Sequence, residues 1–79
     1  MYHTIQFTEA FLAVLEVSPK QRLERVRIRR GDRLQAQVRP YVVDTGEGPR
    51  EVADLFFEDG TATRKVPFAY FAFVDAEAA

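Results

Sequence analysis

The side chains that carry most enzyme chemistry are scarce in this chain. Its 79 residues include one histidine, His3, one serine, Ser18, and no cysteine. Ser/His and Cys/His nucleophile pairs therefore have almost nothing to be built from, and disulfides and thiolate metal sites are excluded. His3 reads as an ordinary surface residue. Asp44, Glu47 and Glu51 are the carboxylates best placed for a metal, but their spacing does not follow a calcium loop and solvation of a loop accounts for them. Glu58-Asp59 resembles a carboxylate pair, and turn chemistry explains it more simply. Gly46-x-Gly48 lacks the third glycine, the lysine and the following helix of a phosphate loop. Arg30-Gly31-Asp32 spells the integrin-binding tripeptide but reads as a turn. The expectation is a non-enzyme with no metal and no cofactor.

Two residue classes remain that suit binding. Nine of the eleven basic residues are arginine, whose planar fork fits carboxylates and phosphates and stacks on rings. The net charge of −1 conceals a split: eight basic and two acidic residues over 20–39, then six acidic and one basic over 40–59. The simpler expectation is that these halves neutralise each other across adjacent strands. The alternative is an open basic row, Arg25, Arg27, Arg29, Arg33 and Arg39, facing an anionic partner such as nucleic acid. No aromatic residue interleaves with these arginines to stack bases. The second class is a large aromatic set for so small a chain: Tyr41, Phe56, Phe57, Phe68, Tyr70, Phe71 and Phe73. Most of it must be core, and one or two rings are left over for another chain.

These residues sit on short elements that read as strands. Over 25–39 the apolar residues fall on even positions (Val26, Ile28, Leu34, Ala36, Val38) and arginine or glutamine on odd ones, the period of a strand with one buried face. Arg30-Gly31-Asp32 interrupts this with a turn. Asp59-Gly60 predicts a two-residue hairpin turn between 51–58 and 61–67. That fold sets Ala53 against Val66, Phe57 against Ala62, and Asp54 against Lys65 as an ion pair. It also puts Phe56 on the Asp54 face with Val52, where it is either covered by another part of the chain or exposed for a partner. Residues 44–49 read as a loop because of their glycines and proline. Phe11–Val17 reads as a strand or as a helix starting after Thr8, ended by Pro19 in either case. Residues 2–7 suit a further strand, and 75–79 a frayed tail. No apolar run reaches a membrane span, and there is no signal-peptide layout, so a cytoplasmic protein with no membrane partner is expected.

Three of these pieces resemble Src-homology-3 domains. Phe11-Leu12-Ala13-Val14-Leu15-Glu16-Val17 is similar to their opening strand, Arg29-Arg30-Gly31-Asp32-Arg33-Leu34-Gln35 to their diverging turn, and Val66-Pro67-Phe68-Ala69-Tyr70-Phe71 to their closing piece. The resemblance covers about residues 11–74. The five or six short strands read from the residues suggest an all-β barrel or partly open sandwich, and the length allows one domain over 1–79; the resemblance implies a small five- to six-stranded SH3-like barrel with its core at roughly 11–74. Leu15 and Val17 stand where the family has tyrosines, and the groove tryptophan is absent; only Pro67 and Tyr70 match the groove that binds proline-rich helices. Leu55-Phe56-Phe57-Glu58-Asp59-Gly60 is also similar to the end of Tudor-type barrels. The expected role is protein binding, to a partner or to itself, through Phe56, Pro67, Phe68 and Tyr70.

Overall fold

The computed structural model describes residues 1–17 and 22–74, so Ser18, Pro19 and the expected frayed tail lie outside the described residues. Among the described residues seven strands form one antiparallel sheet: β1 (His3–Phe7), β2 (Phe11–Val17), β3 (Arg22–Ile28), β4 (Arg33–Thr45), β5 (Gly48–Phe57), β6 (Thr61–Pro67) and β7 (Phe71–Phe73). A single 3-10 turn, Phe68–Tyr70, joins β6 to β7. The order across the sheet is β3-β2-β6-β5-β4-β1-β7, and the sheet curls into a half-barrel. The protein is all-β, with one strand more than the largest number expected. Among the described residues no helix is long and apolar enough to cross a membrane.

Phe11–Val17 is a strand rather than a helix, and it is the second strand rather than the opening one. The opening strand is β1, held between β4 and β7. The core accordingly begins before residue 11. Ile5 and Phe7 of β1 join Leu55 as the largest fully buried side chains, packed with Ile28, Val66 and Phe71. Ala13, Ala36 and Ala53 supply small side chains in the middle of three strands, which lets the curled sheet close on these larger ones. The turn at Arg29–Asp32 forms as expected: the Arg29 amide donates to Asp32 Oδ2 at 2.9 Å, and the Gly31 amide donates to the Phe7 carbonyl at 2.8 Å.

Residues 44–49 are not a loop. β4 and β5 run to Thr45 and Gly48 around a two-residue turn, where the Thr45 hydroxyl donates to the Gly48 carbonyl at 2.7 Å. Glycine and proline are tolerated because β4 pairs with β1 only over Arg33–Ala36 and β5 with β6 only from Val52 onward. Beyond those points each strand has a free edge, and Pro40 and Pro49 need donate no ladder bond there.

The second hairpin departs from the predicted register at one place. Ala53 faces Val66 as expected, but Leu55 faces Thr63 and Phe56 faces Ala62, so a bulge lies between Ala53 and Leu55. The turn holds three residues rather than two, with the Gly60 amide donating to the Phe57 carbonyl at 3.2 Å. Gly60 takes φ 89°, the left-handed residue that follows a type I turn in three-residue loops. The extra residue in the turn is absorbed at the bulge, where Arg64 and Lys65 both lie opposite Asp54.

Candidate functional site

The bulge builds the most tightly bonded polar cluster of the molecule. Asp54 is only 8% exposed although it sits on the outer face of β5. Its Oδ1 accepts from the Tyr41 hydroxyl at 2.8 Å and from the Lys65 amide at 3.2 Å, and its Oδ2 accepts from Arg64 Nη1 at 3.0 Å. Arg64 Nε donates to Glu16 on β2 at 2.7 Å, and its guanidinium lies 5.5 Å over the Phe56 ring. Four strands are thereby tied across their outer face. The predicted partner Lys65 contributes its backbone amide instead of its charge, because the bulge sets it at φ 57° and gives the ion pair to Arg64.

Burial by itself raises the Asp54 carboxyl; the bonds from Tyr41, the Lys65 amide and Arg64 outweigh it and hold the group below the usual carboxylate range. Burial, then the neighbouring Asp54, pushes the Tyr41 phenol up. Both Asp54 oxygens are engaged within the chain, which makes the cluster a brace across the four strands.

Of the four residues expected to contact a partner, Pro67, Phe68 and Tyr70 run from the end of β6 through the 3-10 turn, and Phe56 lies on β5. Phe56 is half-buried beneath Arg64 rather than exposed, the covered alternative of the two weighed above. Pro67 is half-buried opposite Val52. Phe68 packs on Phe71 at 5.2 Å, and Tyr70 packs on Phe11 at 5.2 Å. Among the described residues no ring contact joins Phe56 to this C-terminal group. The surplus aromatics extend the core outward, and His3 joins them edge-on to Phe73 at 5.3 Å. Of the other candidates, Glu47 is bound to Arg50 at 3.0 Å, Asp44 lies on β4 and Glu51 on β5. Asp59 accepts from both the amide and the hydroxyl of Thr61, which close the turn.

Among the described residues no ion pair joins the two charged halves. The ion pairs among described residues are Arg22–Glu24, Arg50–Glu47 and those of Arg64 with Glu16 and Asp54. Arg25, Arg27, Arg29, Arg33 and Arg39 make none. Asp54, which faces Arg39 across the β4–β5 ladder, has its oxygens occupied by Tyr41, Arg64 and Lys65. The five arginines are exposed: Arg25 and Arg27 lie on β3, Arg29 begins the turn after it, and Arg33, whose Nε donates to the Gln6 side chain at 2.9 Å, and Arg39 lie on β4.

A surface that the sequence pattern concealed lies on the β2–β3 hairpin. Leu12 faces Arg27, Val14 faces Arg25 and Glu16 faces Leu23 on its outer side. Leu12, Val14 and Leu23 are 57%, 43% and 65% exposed. The run Phe11–Val17 is apolar at nearly every position, so its period does not separate the row facing the core from the row facing solvent. On the inner side of the same hairpin, a trough of 430 Å³ opens among Leu15, Val26, Ile28, Leu34 and Phe57, its lining completed by Arg33, Gln35, Glu58, Asp59 and Thr61. Compared with known protein families, with curated proteins and with solved structures, the chain matches none of them.

Proposed function

We propose that this chain is a non-catalytic protein-interaction module built on an SH3-like barrel, with the β2–β3 hairpin as its contact surface. The observation that carries the reading is the outward row of Leu12, Val14 and Leu23 alternating with unpaired Arg25 and Arg27. Exposing three large apolar side chains side by side has no use in an isolated domain, and a partner that covers them recovers roughly 25 cal/mol per Å² of apolar area. The SH3-like reading is supported by the turn at Arg29–Asp32, by the 3-10 turn before the last strand, and by a strand, β1, lying between β4 and β7. In that reading His3–Phe7 takes the place that the motif match gives to Phe11–Val17.

Peptides selected on the protein from a random displayed library test this. They are expected to lose binding to a folded Leu12→Ser/Leu23→Ser variant and to retain it on Tyr70→Ala. Retention on the first variant with loss on the second would move the surface to the C-terminal aromatics.

Nucleic-acid binding is the second reading, favoured by the absence of ion pairs at Arg25, Arg27, Arg29, Arg33 and Arg39. It predicts a complex with mixed oligonucleotides in a low-salt mobility shift that disappears steeply as salt is added. No shift at tens of micromolar protein would rule it out.

A further inference from the structure

The free edge of β3 and the trough beneath it form a strand-addition site, and we infer that it takes an extended protein segment carrying carboxylates on one face and apolar side chains on the other. This inference rests on the protein-interaction reading and specifies its partner.

Three features converge on β3. It is the last strand of the sheet, and among the described residues its only partner is β2, so the main-chain groups along its outer edge are not used in any ladder. Its seven residues are enough for a full recognition strand. Its two faces differ in chemistry. Outward it presents Leu23, Arg25 and Arg27; inward, Val26 and Ile28 enter the wall of the 430 Å³ trough. Side chains of an added strand alternate in the same way. One row meets the two unpaired arginines, where carboxylates are the complementary charge. The other row points into a recess whose wall also has Leu15, Leu34 and Phe57, where apolar side chains fit, and whose lining includes Arg33, Glu58 and Asp59, so the carboxylates belong on the outer row.

The same features disfavour other occupants. A second copy pairing β3 with β3 about a two-fold axis sets the basic residues of one strand against those of the other. Nucleic acid satisfies Arg25, Arg27 and Arg33 but leaves Leu12, Val14, Leu23 and the apolar wall of the trough without a use.

The probe is a capped, fluorescein-labelled octapeptide alternating aspartate and valine, titrated by fluorescence anisotropy into the intact protein. Two companions are a version with proline at a central valine, which keeps the charge but blocks pairing, and a lysine–valine version. Saturable binding of the first peptide is expected, at least about tenfold weaker for the proline peptide and for the protein variant Arg25→Glu/Arg27→Glu. Chemical shift changes should cluster on the β3 amides and the Leu34 methyls. Circular dichroism establishes that the doubly substituted protein, altered only at exposed side chains, remains folded. Equal binding of the proline peptide overturns strand addition while leaving the protein-interaction reading in place. Absence of peptide binding together with binding of duplex or single-stranded DNA overturns both. Absence of any binding, or a dimer that protects the β3 amides, overturns the site.

Discussion

A single carboxylate, Asp54, joins β4, β5 and β6, and through Arg64 it reaches β2. Because its folded pKa lies below the ordinary value, the stability it contributes is present above about pH 4 and is lost as pH falls through the lower folded value. Tyr41 acts in the opposite sense. Its folded pKa is raised, so its contribution holds below about pH 10 and fades as pH climbs through the folded value. Asp54→Asn is expected to cost about 2 kcal/mol at neutral pH, the scale of hydrogen bonds to a charged group. It should also flatten the acid side of the stability profile, measured as urea midpoints from neutral to strongly acidic pH. A variant that keeps the wild-type acid slope would place the titrating group elsewhere.

Between strands, the β5–β6 hairpin balances one residue gained in its turn against a bulge four residues beyond. Both places use left-handed backbone, Gly60 at φ 89° and Lys65 at φ 57°. Only one of them has the residue such a conformation favours. Lys65→Gly is therefore expected to stabilise the fold by up to about 1 kcal/mol, and Gly60→Ala to destabilise it by about 1 kcal/mol. The second change is instructive because no atom lies within 4 Å of the added Cβ, so its cost is backbone conformation and not collision. Thermal melts of the two variants should move in opposite directions. The β4–β5 hairpin offers a further check at this scale. Its outer half, with Val42 63% exposed, contributes nothing to the buried cluster, so amides over 42–51 should exchange with solvent faster than those of Ala36, Ala53 and Leu55.

Across the described residues of the whole molecule, no ion pair joins the basic stretch 20–39 to the acidic stretch 40–59. Arginines that make no ion pair contribute little to stability, so Arg25→Gln with Arg27→Gln should leave the unfolding midpoint unchanged. Arg64→Gln, one substitution instead of two, should lower it, because it frees Asp54 from a partner in a covered position. A large loss from the β3 pair would mean that the basic and acidic halves attract each other after all. The proposed function uses the same division: Arg64 braces the fold, and in the proposal Arg25 and Arg27 on β3 meet the partner.

The all-β class, the turns at Arg29–Asp32 and near Asp59-Gly60, and the inward set of Val26, Ile28, Ala36 and Val38 were legible in the residues alone. Period-two alternation and turn chemistry are settled between near neighbours, by sterics and hydrogen bonds a few residues apart. The Gly46–Pro49 stretch misled because its residues break strands in general, whereas two free edges make them harmless here. The site was the least legible part. Whether Phe56 is covered, whether Arg64 or Lys65 pairs with Asp54, and whether the charged halves meet all depend on a bulge and on which distant strands share a core. Ile5 and Phe71 come together across 65 intervening positions when β1 pairs with β7, and the curl of the sheet packs both with Leu55. That curl leaves β3 at the edge, because burying the large side chains of β1, β5 and β7 in one small core outweighs pairing the edge, and no local pattern records the outcome.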